Sequence, residues 1–139
     1  MNRKETALDC LNKKYNCAQA VLFSFADDVG LDKDTAIKIS ACFGGGMRCG
    51  EVCGAVTGML MAIGMKYSSS EENDEASKKL AYEKGTEFIN EFKKKEGTIL
   101  CRELLKLDGS KSEEVQKELH KNICFNAIIT AVEIAEKMI

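Results

Sequence analysis

The segment Gly44-Gly45-Gly46-Met47-Arg48-Cys49-Gly50-Glu51-Val52-Cys53-Gly54-Ala55-Val56-Thr57-Gly58 decides how this chain must fold. A triple-glycine turn leads into two cysteines four residues apart, and small residues then recur every fourth position, at Gly50, Gly54, Gly58 and Ala62. Glycine inside a helix costs about 1 kcal/mol relative to alanine, so this stripe predicts that another backbone or a cofactor approaches closely. We expect a turn, then a helix from near Gly50 or Glu51 to about Met65.

The rest of the chain has the composition and periodicity of an all-α protein. Its 139 residues contain no proline, so the strongest helix breaker is absent. Its long apolar patterns repeat every three or four residues and do not alternate as strands do. With no linker or repeat to divide it, residues 1–139 are predicted to form one compact bundle of about five to seven helices.

Capping signals predict where several helices begin. Asn16 followed by Gln19 resembles a capping box and predicts a helix that starts there. Ser69 with Glu72 predicts a second box, which opens a long amphipathic helix to about Lys95. Each signal supplies acceptors for the amide groups that a helix leaves unpaired at its first turn.

The last third of the chain carries weaker signals. Thr98 is a plausible cap for a short helix that contains Cys101 and ends at 108–109. Ser110 with Glu113 predicts the start of a final helix, with a break near Asn122.

Charge and hydropathy limit the partners and the location that we expect. The net charge is −2 with lysines and carboxylates interleaved, so the chain lacks the basic face that nucleic acid requires. The longest uncharged apolar run, Val52 to Met65, is 14 residues and falls short of a membrane span. Seven cysteines, an odd number, without an apolar leader favour a reducing cytoplasm. A homodimer is compatible with this composition.

Four of the cysteines form the candidate site. The string Cys53-Gly54-Ala55-Val56-Thr57-Gly58 resembles the CGAxxG motif of a family named for its pattern C-GCAxxG-C-C and described as redox-active. That family has one signature cysteine before the motif, one inside it and two after it. The resemblance covers the whole chain and implies redox thiols at Cys17, Cys53, Cys101 and Cys124.

Three of these thiols fall near predicted helix starts, whereas Cys124 lies in an apolar stretch of the last helix. A helix N-terminus offers free amide donors and partial positive charge, which favour thiolate over thiol. Thiolate is the form that ligates metals and attacks disulfides. We therefore expect Cys17, Cys53 and Cys101 to ionise readily.

The spacing of the four cysteines leaves three functions open. Their intervals are 36, 48 and 23 residues, without the close CxxC pairs typical of structural zinc or the compact motifs of ferredoxins. Four thiolates from separate helices could bind an iron–sulfur cluster that exchanges electrons with a redox partner. Two of them could instead form a reversible dithiol–disulfide centre. In the third interpretation the cysteines only pack the core of a helical binding or accessory module.

Three further residues are candidates for the same site. Cys49 precedes Cys53 by four residues and is predicted to be an auxiliary thiol. His120 precedes Cys124 by the same interval and could bind metal or lower the thiol pKa, although an exposed histidine is the commoner interpretation. Arg48 could supply positive charge to a cluster or thiolate, or could simply lie on the surface.

The remaining assignments concern packing. Gly54 and Gly58 are the positions where a cofactor could approach the predicted helix most closely. Cys10 and Cys42 are predicted to be small apolar residues of the core.

Overall fold

A computed structural model describes residues 1–106 and 112–139 and confirms the all-α class. That part of the chain contains no β-strand, only an isolated bridge between Val52 and Leu100. Its seven α-helices are α1 (Arg3–Asn12), α2 (Cys17–Phe25), α3 (Lys33–Ile39), α4 (Gly54–Tyr67), α5 (Glu75–Glu96), α6 (Cys101–Leu105) and α7 (Glu113–Glu136). Single helical turns at 27–29 and 41–43 join some of them.

Helices α2 and α4 form the centre of the bundle and pack at very short range. A Cβ atom at Gly58 would lie 2.5 Å from the carbonyl oxygen of Ala18, and one at Gly54 would lie 2.9 Å from the Ala18 nitrogen. The stripe of small residues therefore admits the backbone of α2. Of the two occupants considered from the sequence, the neighbouring helix occupies the space at Gly58.

The core is built around this pair. Helices α1, α5 and α7 pack around α2 and α4, and the C-terminal half of α7 is buried while its first turns are exposed. The largest fully buried apolar side chains come from α2, α4, α5 and α7: Phe25, Phe88, Phe92, Leu22, Met59, Ile63 and Ile128. No helix in the described ranges is both long enough and apolar enough to cross a membrane.

The predicted start of α2 is confirmed. The side chain of Asn16 accepts a hydrogen bond from the Gln19 amide at 2.9 Å, and the Gln19 side chain accepts from the Asn16 amide at 2.9 Å. This reciprocal pair satisfies two amide groups at the first turn.

The predicted starts of α4 and α5 are wrong by several residues. Helix α4 begins at Gly54 and not near Gly50, because the preceding residues adopt positive φ angles that no right-handed helix accommodates. Helix α5 begins at Glu75 with Asp74 as its cap. The hydroxyl of Ser69 donates to the Asp74 carboxylate at 2.6 Å, so Ser69 supports the cap but is not the cap.

The last two helices also differ from the prediction. Thr98 does not cap α6: its hydroxyl accepts from the Leu100 amide at 3.1 Å and donates to Glu103 at 2.6 Å. The predicted turn at 108–109 and the predicted cap Ser110 lie outside the described residues. Helix α7 is capped by Ser112 and continues unbroken through Asn122.

Candidate functional site

The four predicted cysteines line one cavity of about 550 Å³. Cys17 is the first residue of α2, Cys53 immediately precedes α4, Cys101 is the first residue of α6, and Cys124 lies halfway along α7. Cys17 and Cys53 are buried, whereas Cys101 and Cys124 are half-buried. We call this space the four-thiol cavity. The folded chain thus brings together thiols that are far apart in the sequence.

The cap of α2 fixes the position of Cys17. Beyond its capping bond, Asn16 donates from Nδ2 to the carbonyl of Ala41 at 2.9 Å. Gln19 donates from Nε2 to the carbonyl of Ile37 at 3.0 Å. The capping box therefore also ties the start of α2 to α3, through Gln19, and to the turn that follows α3, through Asn16.

Backbone hydrogen bonds hold Cys53 and Cys101 beside each other. The Cys53 amide donates to the carbonyl of Ile99 at 2.7 Å, and the Cys101 amide donates to the carbonyl of Glu51 at 2.7 Å. Arg102 reinforces this junction by donating to the Gly50 carbonyl at 3.2 Å and pairing with Glu51 at 2.9 Å. The residues before α4 and α6 are thereby locked together.

A left-handed turn precedes this junction. Gly45, Gly46, Met47 and Arg48 have consecutive φ angles of 65°, 65°, 58° and 64°. For residues other than glycine this region costs about 1–2 kcal/mol each, so Met47 and Arg48 are strained. A Cβ atom at Gly46 would lie 2.6 Å from the Glu51 nitrogen and 2.8 Å from the Cys101 Cβ. Backbone strain is therefore concentrated beside the cavity, as is common at functional sites.

Cys17 and Cys124 form a hydrogen-bonded thiol pair. The side-chain hydrogen bond between the two thiols is the largest cause that raises the pKa of Cys17 well above its ordinary value and lowers the pKa of Cys124. Burial further raises the pKa of Cys17. Cys124 is consequently the cavity thiol that ionises first.

The expectation that helix starts favour thiolate is wrong for three of the four thiols. Burial raises the pKa of Cys53 to about 12, although amide hydrogen bonds from Ala55 and Val56 act in the opposite direction. Burial is also the main cause that raises the pKa of Cys101. The cost of removing a charged thiolate from water outweighs the helix N-terminus here.

The other candidates divide between the cavity and the surface. Cys49 is exposed, donates to the Gly46 carbonyl at 3.5 Å and does not line the cavity. His120 and Arg48 both line it from exposed positions. Cys10 is buried as predicted, but Cys42 is exposed, because the single turn at 41–43 faces solvent.

Sequence reasoning missed three lysines that line the same cavity: Lys14, Lys117 and Lys121. Lys117 and Lys121 precede Cys124 by seven and three residues, which places all three on one helix face. That spacing is visible in the sequence and could have identified both lysines as neighbours of Cys124. Lys14 carried no such signal, because it belongs to the connection between α1 and α2.

The donor set suits some metal centres better than others. Within the described ranges, no three His, Cys, Asp or Glu side chains lie close enough to share a single ion. In a 4Fe–4S cluster each of four cysteine thiolates binds a different iron, so the ligands surround the cluster from separate positions. Four thiols from four separate segments of the chain around one cavity fit that ligand set.

Comparison with known proteins supports the cysteine pattern. The model of a family described as "Putative redox-active protein (C_GCAxxG_C_C)" matches residues 15–138. All four cavity cysteines fall inside this range. Neither the curated proteins nor the solved structures contain a significant match to the chain.

Proposed function

Since this chain belongs to the C_GCAxxG_C_C family of redox-active proteins, we propose that the four-thiol cavity is its redox centre and holds an iron–sulfur cluster. The observation that carries the proposal is the convergence of Cys17, Cys53, Cys101 and Cys124 on one cavity. A bound cluster would supply reversible electron transfer at a potential tuned by charge, hydrogen bonding and solvent exposure.

The surroundings of the cavity fit the binding of several thiolates. Burial opposes their ionisation in the free protein, so positive charge must accompany any state in which all four are deprotonated. The cations at the cavity provide part of it: Lys14, Arg48, Lys117 and Lys121. The apolar residues Leu104, Ile123 and Ala127 exclude water from the remaining wall.

A second candidate function rests on the hydrogen bond between Cys17 and Cys124. In a metal-free protein the Cys124 thiolate would attack a substrate disulfide and release one substrate thiolate. Cys17 would then lose its proton and attack the mixed disulfide, which forms a Cys17–Cys124 disulfide and releases the second substrate thiol. The substrate disulfide is reduced by two electrons and the protein dithiol is oxidised.

Both candidates are compatible with a protein of the reducing cytoplasm. All seven cysteines are free, which agrees with such a compartment. We also propose that the protein exchanges electrons with a redox partner and that it can form a homodimer.

Anaerobic purification with iron and sulfide analysis and an absorption spectrum tests the proposal. We expect a coloured protein containing iron and sulfide, and we expect serine replacement at each of the four cavity cysteines to reduce the iron content. The matched controls are Cys42→Ser and Cys49→Ser at the surface and Cys10→Ala in the core, which should retain it.

The negative outcomes separate the candidates. A colourless protein that takes up no iron and sulfide during reconstitution would rule out the cluster. Peptide mass spectrometry after mild oxidation would then test the second candidate through a Cys17–Cys124 disulfide. If neither the cluster nor the Cys17–Cys124 disulfide forms, the third interpretation remains, a helical binding module whose cysteines only pack the core.

A further inference from the structure

We propose that the mouth of the four-thiol cavity binds a small organic anion, a molecule with a carboxylate or phosphate group on an apolar body. This inference goes beyond the redox proposal and concerns a ligand other than the cluster. It concerns the exposed residues at the solvent end of the cavity and does not require the buried thiols.

Every charged side chain among the described residues that line the cavity is a cation. Four cationic side chains line the cavity from exposed positions: Lys14, Arg48, Lys117 and Lys121. None of the described residues that line it is an aspartate or glutamate. The whole chain nevertheless carries a net charge of −2. Cations from three separate segments therefore gather at one place on an otherwise acidic protein, which raises the local concentration of anions.

Two of these cations lack an ion-pair partner within the part of the chain that the structure describes. Among the described residues, Lys14 and Arg48 take part in no ion pair. Lys117 pairs with the exposed Glu113 at 3.7 Å, a distance and exposure at which the attraction is weak. Lys121 lies over the ring of Phe125 at 5.5 Å. Charge at the mouth therefore remains available to a ligand.

The position of Arg48 is maintained against a conformational cost. Its φ angle of 64° lies in the left-handed region, within the strained turn described above. A guanidinium group presents several donors in a fixed plane, which suits two-point recognition of carboxylate or phosphate. A strained backbone that directs such a group to a cavity is more consistent with recognition than with packing.

Besides the cations the wall is largely apolar, which favours a small molecule over a protein partner. The apolar lining residues are Leu11, Leu104, Leu105, Ile123 and Ala127, and the whole cavity of about 550 Å³, which includes the space around the thiols, lies within the range of small-molecule sites. An acidic protein would contact the rim without using this depth. An organic anion would place its charged group near Arg48 and its body against the leucines.

Isothermal titration of the anaerobically purified protein with three matched probes tests the inference. The probes are 2-naphthoate, the neutral 2-naphthamide and the cationic 2-naphthylmethylammonium. We expect naphthoate to bind about tenfold or more tightly than naphthamide, since one charge-assisted hydrogen bond suffices for a factor of that size. The ammonium probe should bind least, and added salt should weaken naphthoate binding.

Charge-removing variants locate the site. Arg48→Gln and the double variant Lys117→Gln/Lys121→Gln should each weaken naphthoate binding about tenfold. Arg48→Lys keeps the charge but not the planar pair of donors, so it should lose less affinity than Arg48→Gln. Lys79→Gln/Lys94→Gln on α5 removes two charges away from the cavity and is the matched control for the double variant, and Lys79→Gln alone is the control for Arg48→Gln. Lys14→Gln provides a further test should circular dichroism show that an Arg48 variant misfolds.

Several outcomes would overturn the inference. They are equal binding of naphthoate and naphthamide, no binding of either, or equal losses in the cavity variants and the α5 control. Binding of poly-glutamate without binding of naphthoate would also overturn it and would identify the mouth as a docking surface for an acidic protein.

Discussion

Cys17, the first residue of α2, and Cys124, in the middle of α7, share a side-chain hydrogen bond that couples their pKa values. The bond moves the two pKa values in opposite directions: Cys17 is held protonated and Cys124 is favoured as thiolate. Two chemically identical side chains thereby acquire different roles. In a dithiol mechanism Cys124 is the attacking residue and Cys17 the resolving one.

The first prediction concerns the reactivity of Cys124 in metal-free protein that carries Cys42→Ser and Cys49→Ser. Iodoacetamide reacts with thiolate, so Cys124 should be labelled before Cys17 and Cys53 at pH 7.5. Replacing Cys17 with alanine removes the hydrogen bond, so the pKa of Cys124 should rise and its labelling should slow several-fold. Peptide mass spectrometry over a pH series measures both effects. A pH profile for Cys124 that is the same with and without Cys17 would contradict the hydrogen bond.

The second prediction concerns stability at alkaline pH. The raised pKa of Cys53 determines whether the free energy of unfolding rises or falls as the pH increases. The folded-state pKa of about 12 lies above the ordinary thiol value, so the native protein keeps a proton that the unfolded chain releases. The stabilisation is complete below about pH 8.5 and is lost as pH rises towards about 12. Each pH unit in this window should lower the free energy of unfolding by about 1.4 kcal/mol.

Urea unfolding of metal-free protein at pH 9 and pH 10.5 measures this loss. The Cys53→Ala variant lacks this thiol, so its free energy of unfolding should fall less steeply with pH. The difference between the two slopes should be roughly 1 kcal/mol per pH unit. Between pH 6 and pH 8 the two slopes should coincide, which serves as the internal control. Parallel slopes across the alkaline window would show that burial does not hold the proton on Cys53.

The sequence predicted those features of the fold that depend on neighbouring residues. The capping box of Asn16 and Gln19 and the stripe at Gly54 and Gly58 are local patterns, and the structure uses both at the α2–α4 contact. The left-handed turn was not predictable in the same way. Met47 and Arg48 are ordinary helix formers, and no local pattern in the sequence signals their positive φ angles.

The sequence predicted which cysteines form the site but not how readily each of them ionises. The family pattern identified four cysteines, and all four line one cavity. Their ionisation depends on the hydrogen bond between Cys17 and Cys124 and on burial, and both are properties of the folded chain and not of helix position. The helix-start argument therefore failed at Cys17, Cys53 and Cys101, while Cys124, far from any helix start, is the thiol whose pKa is lowered.

The third prediction compares two glycines of the same helix. Gly58→Ala places a methyl group 2.5 Å from the Ala18 carbonyl oxygen and 2.6 Å from a Val21 methyl, so α2 and α4 must separate. Overpacking of this kind costs about 1–3 kcal/mol. Gly64→Ala has no atom within 4 Å of the new Cβ and should instead stabilise α4 by up to about 1 kcal/mol. Thermal unfolding of both variants measures the contrast, and equal effects would argue against close packing at Gly58.

The fourth prediction compares two glycines that share a positive φ angle, Gly46 at 65° and Gly97 at 85°. Alanine at either position incurs the left-handed penalty of about 1–2 kcal/mol. At Gly97 nothing lies within 4 Å, so the cost ends there. At Gly46 the new methyl group also meets the Glu51 backbone at 2.6 Å and the Cys101 Cβ at 2.8 Å.

Gly46→Ala should therefore lower the free energy of unfolding by about 1–3 kcal/mol more than Gly97→Ala, since overpacking adds to the backbone strain. It should also displace Cys101 from the cavity wall and speed the alkylation of its thiol, whereas Gly97→Ala should leave that rate unchanged. Urea unfolding and thiol labelling measure the two effects separately. If Gly46→Ala destabilises the protein without changing the alkylation of Cys101, the turn supports the fold but does not position the thiol.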